Sequence, residues 1–176
     1  PGTASSILER MRFVSMKRLS DEHETLFWSI YHTVCHVSRF SDSDKNIQHG
    51  TTSVLQHSLH VAYYSCLLVE RLSLPVCWED LIRGALLHDY FLYDWHHYHK
   101  TSLLPHGFTH PVTAFRNASA DFTLTPREKN IILRHMFPLT PVPPTCLEGW
   151  LVCLTDKYIS TLETCFPNMT PVIMKP

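Results

Sequence analysis

Apolar residues recur along this chain at helical spacing, and no run shows the strict alternation of a half-buried strand. Ser20-Asp21-Glu22 has the form of an N-cap with an acidic first turn. Leu26, Phe27, Ile30, Val34 and Val37 follow it as one stripe. Ser41 to Gly50 is polar and expected to be loop. Thr51-Thr52-Ser53 can cap a second helix that runs to about Ser73 and stops before Pro75. Plotted at about 100° per residue, Val54, Leu55, Leu59, Val61, Ala62, Cys66, Leu68, Val69 and Leu72 fill one side of it. His57 sits at the edge of that arc beside Val61, Tyr64 and Leu68, whereas His60 points away with Gln56, Glu70 and Arg71. His57 is therefore expected inside and His60 outside.

A third helix opens near Glu79 and Asp80, where acids suit the positive end of the dipole. It ends in Gly84-Ala85-Leu86-Leu87-His88-Asp89-Tyr90-Phe91. Leu81, Ala85 and His88 fall at i, i+4 and i+7, which turns His88 toward the core. Asp89 then occupies the last turn, where the negative dipole end disfavours a carboxylate. Tyr90 to Thr109 has aromatics and histidines but no period, and is expected to be mostly loop. Pro111 suits the first position of a short helix bearing Val112, Phe115 and Ala118, capped by Thr109 or His110.

Thr125-Pro126-Arg127-Glu128 is a capping box with proline at N1. It leads through Ile131 and Ile132 to His135 on the same face. Pro138, Pro141, Pro143 and Pro144 stiffen the next loop. A last helix runs from about Leu147 to Cys165, carrying Leu151, Leu154, Tyr158, Ile159 and Leu162, with Asp156 between Val152 and Ile159. The expected fold is all-α. It forms one domain over residues 1–176, with a core at about 21–165, a basic N-terminal arm (Arg10, Arg12, Lys17, Arg18) and a Pro-rich tail from Pro167.

Composition narrows the function. With 44% hydrophobic and 18% charged residues the chain is globular rather than disordered. Its formal charge of -1 offers no basic face for nucleic acid or an acidic membrane. No apolar run reaches membrane-spanning length. The six cysteines, at 35, 66, 77, 146, 153 and 165, form no C-x-x-C pair. Cys35, Cys66, Cys153 and Cys165 fall in apolar helical patterns, as expected of small buried hydrophobes in a reducing cytoplasm. Histidine is the outlier. There are 13, of which His88, His96, His97, His99, His106 and His110 crowd into one short stretch.

Four helices thus each turn ionisable residues inward: His57, His88 with Asp89, His135, and Asp156. His110 enters at the mouth of a fifth. Burying such groups is costly unless they are paired or metal-bound, and facing helices of a bundle are a common source of metal ligands. The order His57, His88-Asp89, Asp156 resembles the H…HD…D pattern of the HD-domain superfamily of metal-dependent phosphohydrolases. Leu55-Gln56-His57-Ser58-Leu59-His60-Val61-Ala62 is similar to its first motif, Ala85-Leu86-Leu87-His88-Asp89 to its second and Leu154-Thr155-Asp156-Lys157 to its last. His110-Pro111 and His135 are similar to the extra histidines of the binuclear branch.

The resemblance implies a helical HD bundle in which His57, His88, Asp89 and Asp156 hold one metal. It further implies that Asp89 bridges to a second ion completed by His110 and His135, with His106 as the substitute should His110 be only a cap. Imidazole-rich ligation suits Fe, Mn, Ni or Zn better than Mg. Where many relatives follow the HD pair with Ile-Gly-Lys, this chain has Tyr90-Phe91-Leu92. The phosphate-contacting lysine is missing there, and Lys100, Arg116 and Lys157 are candidate replacements. Asp94 and His96 are candidate general acids for a leaving group.

The implied reaction is hydrolysis of a nucleotide or another small phosphate ester by a metal-activated water, with Asp89 catalytic as the bridge. The same ligand set also occurs in HD-family di-iron oxygenases. A non-catalytic metal-bearing sensor is a third reading.

Overall fold

The computed structural model describes residues 18–94, 106–166 and 173. The readings on His96, His97, His99, Lys100, most of the basic arm and the Pro-rich tail lie outside the described residues. Within them, α1 (Asp21–Val37) leads through a 3-10 helix (Phe40–Lys45) to a ribbon of β1 (Ile47–His49) and β2 (Thr52–Ser53). There follow α2 (Val54–Leu72), α3 (Trp78–Leu87), α4 (His106–Asp121), α5 (Pro126–Arg134) and α6 (Leu147–Cys165). The all-α expectation holds, with one small exception.

That exception is the segment expected to be loop. Ser43 Oγ bonds the Phe40 carbonyl at 2.6 Å and closes the 3-10 turn, and Phe40 packs edge-on against Tyr90. The two antiparallel strands pair Ile47 with Ser53 and His49 with Thr52 around Gly50 at φ 55. Strands this short leave no alternation in a sequence.

Helix starts follow the local chemistry. Ser53 and Gln56 close a reciprocal capping box on α2, and Thr125 and Glu128 close another on α5. Ser20 sits at the N-cap of α1 without capping it: its hydroxyl meets His23 and its N–H meets the Glu70 carboxylate. The buried face of α1 is Phe27, Trp28, Tyr31 and Val34, while Val37 is exposed, so the expected stripe is rotated. On α6, Leu154 and Tyr158 are exposed, and Val152, Thr155, Asp156, Ile159 and Glu163 face inward.

α4 departs most from expectation. It starts at His106, so Pro111 lies inside it and His110 is a helical residue rather than a cap. The second turn accepts the proline at the loss of one backbone bond. Asn117 Nδ2 donates to the Tyr90 carbonyl and Tyr90 Oη donates to Asp121, which fixes α4 against the chain leaving α3.

α3 is the hub, packing on α1, α2, α5 and α6. Leu81, Ile82, Ala85 and Leu86 are fully buried on it. Its approach to α5 needs Gly84, where a Cβ would stand 2.5 Å from Ile131 Cδ1. Arg83 pairs with Glu128, and Thr125 donates to Asp80, across the same contact. All six cysteines are free; Cys66 and Cys153 are buried as expected, but Cys35 is half-buried and Cys165 exposed. No helix among the described residues is long and apolar enough to cross a membrane.

Candidate metal centre

Four side chains meet where α2, α3 and α6 converge. His57 Nε2 lies 3.1 Å from Asp156 Oδ1 and 3.8 Å from Asp89 Oδ2. His88 Nε2 lies 3.6 Å from Asp89 Oδ2 and 3.8 Å from Asp156 Oδ1. The other Asp89 oxygen, Oδ1, faces the opposite way, 3.2 Å from His110 Nε2 and 3.5 Å from His135 Nε2. Those two nitrogens are 2.8 Å apart. All six residues are buried, and Asp89 belongs to both halves of one continuous cluster.

Three of the four histidines are oriented by what holds their far sides. His88 closes α3 and directs Nδ1–H to the Ala85 carbonyl at 2.7 Å. His135 closes α5 and does the same to Ile132 at 2.8 Å. Each ring therefore turns Nε2 to the cluster, where it offers a lone pair in the neutral form. His57 Nδ1 faces Glu163 Oε2 at 2.7 Å, and a carboxylate only accepts, so this nitrogen is the donor and Nε2 again faces the cluster. His88 Nε2 and Asp89 Oδ1 are buried without a hydrogen-bond partner. Buried acceptors left without donors, beside two imidazole nitrogens in close apposition, are what a cation would satisfy. The donor set of four imidazoles and two carboxylates fits a divalent transition metal.

Protonation fills the same electrostatic role in the metal-free protein. Burial, the largest influence on His57, pushes its imidazolium down, but hydrogen bonds to Asp156 and Glu163 carry it up to about 10. Burial also raises Asp89 and Asp156. The imidazoles of His88 and His110 around Asp89, and of His57 and His88 around Asp156, outweigh it and hold both carboxyls well below their usual range. His135 is pushed down by burial and by the neighbouring His88 and His110.

The other expected site residues divide. Asp94 is exposed in the segment leaving Asp89, and His106 is the first residue of α4. Arg116 is exposed, further along α4 from His110. Lys157 donates its ammonium to the His135 carbonyl at 2.9 Å and to the Cys153 carbonyl at 3.2 Å, so it anchors the α5 terminus. Leu92 is half-buried against the core, and the ring of the preceding Phe91 lies tilted beside His110, centroids 6.0 Å apart.

Sequence reasoning placed His60 on the surface and overlooked Gln48, His49 and Glu163. His60 is largely covered and bonds Glu163 Oε1 at 2.8 Å through Nδ1. Gln48, on β1, donates to Asp89 Oδ2 at 2.6 Å and leaves its own buried Oε1 unpartnered. His49 packs edge-on against His57, and burial lowers its pKa. A signal for Glu163 did exist, since it lies two helical turns after Asp156 on one face of α6. None was available for the ribbon.

No curated protein and no solved structure matches this chain. A family model does, that of the HD domain, over residues 54–161. The match begins with the first residue of α2, ends within α6 and takes in every member of the six-residue cluster. This chain belongs to the HD-domain family.

Proposed function

We propose that the protein is a metal-dependent phosphohydrolase acting on a nucleotide or another small phosphate ester. The observation that carries this reading is the Asp89 carboxylate, with one oxygen in each half of the cluster. His57, His88, Asp89 and Asp156 would hold one divalent ion, and Asp89, His110 and His135 a second. Fe, Mn, Ni or Zn in these positions would supply Lewis acidity toward a phosphoryl oxygen and acidify a water for in-line attack.

The residues do the rest. Hydrogen bonds behind His57, His88 and His135 fix three rings in the orientation that offers Nε2, so little reorganisation accompanies binding. Buried Asp89, Asp156 and Glu163 carry three negative charges that two dications would exceed by one, which favours an anionic substrate over a neutral one. Buried Phe91 lies beside His110 and lends that flank an apolar side chain. Asp94, exposed three residues after Phe91, is the candidate general acid for a leaving group, with His96 a second candidate and Lys100 a candidate phosphate contact from the sequence.

The test is turnover by metal-reconstituted protein on nucleoside monophosphates, dinucleoside polyphosphates and an aryl phosphate. Release of inorganic phosphate or of a nucleotide from any of them, abolished by chelation, is the expected result. Oxygen uptake on a hydroxylated or phosphonate substrate with no hydrolysis would replace this reading with the oxygenase one, and inertness in both assays would replace it with a sensor.

A further inference from the structure

We infer that Glu163 is a positioning residue of the metal centre, the carboxylate that orients His57 as a ligand. The inference rests on the metal-binding part of the function proposed above. His88 and His135 close their helices, where carbonyls of the last turn are free of intrahelical partners, and each takes its support from its own helix. His57 is in the second turn inside α2, where the carbonyls behind it are already used by the helix. Its Nδ1–H therefore needs an acceptor from elsewhere, and α6 provides one.

Glu163 lies on the same face of α6 as Asp156, so one helix contributes both a ligand and the group behind a second ligand. Its Oε2 takes His57 Nδ1–H at 2.7 Å and its Oε1 takes His60 Nδ1 at 2.8 Å. The side chain has no exposure to solvent. A wholly buried carboxylate is costly unless its oxygens are satisfied, and here both are met by imidazole nitrogens. His60, with 13% of its side chain exposed, then acts as a strut that keeps Glu163 aimed at His57. Glu163 lies two residues beyond the stretch matched by the family model, on the last turns of the helix that carries Asp156.

The experiment uses the full chain loaded with zinc, which is diamagnetic. Two readouts apply: zinc affinity against a competing chelator, and the His57 Nδ1–H proton resonance in a sample labelled with nitrogen-15 at histidine. In the wild type that proton is expected downfield of the amide region and protected from exchange. Glu163→Ala should weaken zinc binding about 10–100-fold, the usual cost of losing such an outer partner, and abolish the downfield signal. Glu163→Gln keeps the shape and one acceptor oxygen, so it should lose less affinity and shift the resonance upfield without erasing it.

Unchanged affinity and an unmoved resonance in Glu163→Ala would overturn the inference while leaving the metal centre standing. Should Glu163→Ala fail to fold, the same two readouts on Glu163→Gln decide in the same way. Wild-type protein that takes up no zinc, iron or manganese would overturn the metal-centre reading itself, and this inference with it.

Discussion

Asp89→Asn tests the bridge directly, because it keeps the shape of the side chain and removes its charge. The two halves of the cluster do not depend on Asp89 equally. Oδ2 shares its half with His57, His88 and Asp156, whereas Oδ1 shares its half with His110 and His135. An asparagine would keep one neutral oxygen and turn an amide N–H₂ toward the other half. Gln48 Nε2 already donates to the Oδ2 position at 2.6 Å, which draws the remaining oxygen there and leaves the donor facing the two imidazoles. The half built on His110 and His135 should therefore lose its ion first. Losing an outer-shell partner alone costs about 10–100-fold in metal affinity or activity. Loss of a charged ligand should exceed the upper end of that range at the second position, and phosphohydrolase activity should fall by at least ~10²-fold with it. Elemental analysis after equilibration at fixed free metal should give two ions per chain for the wild type and one for the variant, with anomalous scattering placing the survivor among His57, His88 and Asp156. Two ions in Asp89→Asn, or activity within a few fold of wild type, would refute the bridging role.

His57→Ala should abolish metal uptake at the first position, whereas His60→Ala should keep the metal and cost less than Glu163→Ala; equal losses measured by elemental analysis would show that His60 is itself a ligand. Acid should destabilise the metal-free protein. Burial raises Glu163, but the hydrogen bonds from His57 and His60 outweigh it and pull the group down to about 2, against about 4.3 when unfolded. Its contribution is complete above about pH 4.3 and disappears as the pH falls toward 2, and Asp89 and Asp156, also held down, act in the same direction. In chelator-treated protein the fall in Tm with acidification should be shallower for Glu163→Gln than for wild type, and an identical slope would contradict this. Gly84→Ala gains about 1 kcal/mol of helix propensity but forces a methyl against Ile131, an overpacking cost of about 1–3 kcal/mol. A net loss near 1 kcal/mol should lower Tm by about 2–4 °C, and a raised Tm would show that α3 and α5 part easily.

What was legible in the sequence was whatever is decided locally. The capping box at Thr125 and Glu128 announces α5, the serine and threonine run before Val54 announces α2, and the spacing from Leu81 to His88 turns the HD pair inward. The phase of α1 was not legible, because Trp28 and Tyr31 are amphipathic and either face could have been buried; packing of Phe27 against Tyr63 chooses. The start of α4 was hidden by Pro111, an acceptable first residue that in fact lies further in, with Asn117 and Asp121 anchoring the helix to Tyr90. His60 failed for a related reason. A helical wheel counts apolar neighbours, and the group that covers His60 is a carboxylate from α6, far away in sequence. Gln48 reaches Asp89 from a ribbon too short to leave any periodic trace.

The cluster favours cations because of where its side chains stand on their helices. α3 and α5 both end at a histidine of the cluster, so the negative ends of two helix dipoles approach it, and Asp89 adds a full charge one residue beyond the first of them. Taken alone, an acid at that terminus is misplaced and raises the energy of the fold. Asp156 and Glu163 from α6 increase the excess negative charge. In the metal-free protein part of that excess is met by the proton that keeps His57 charged up to about 10, and Lys157 covers the α5 terminus from outside by bonding the His135 carbonyl. Divalent ions among the Nε2 atoms would replace such protons with full positive charges: one beside His57 and Asp156 would satisfy the orphaned His88 Nε2, and one beside His110 and His135 would satisfy the orphaned Asp89 Oδ1. Metal binding should therefore release protons and stabilise the folded chain in the same step.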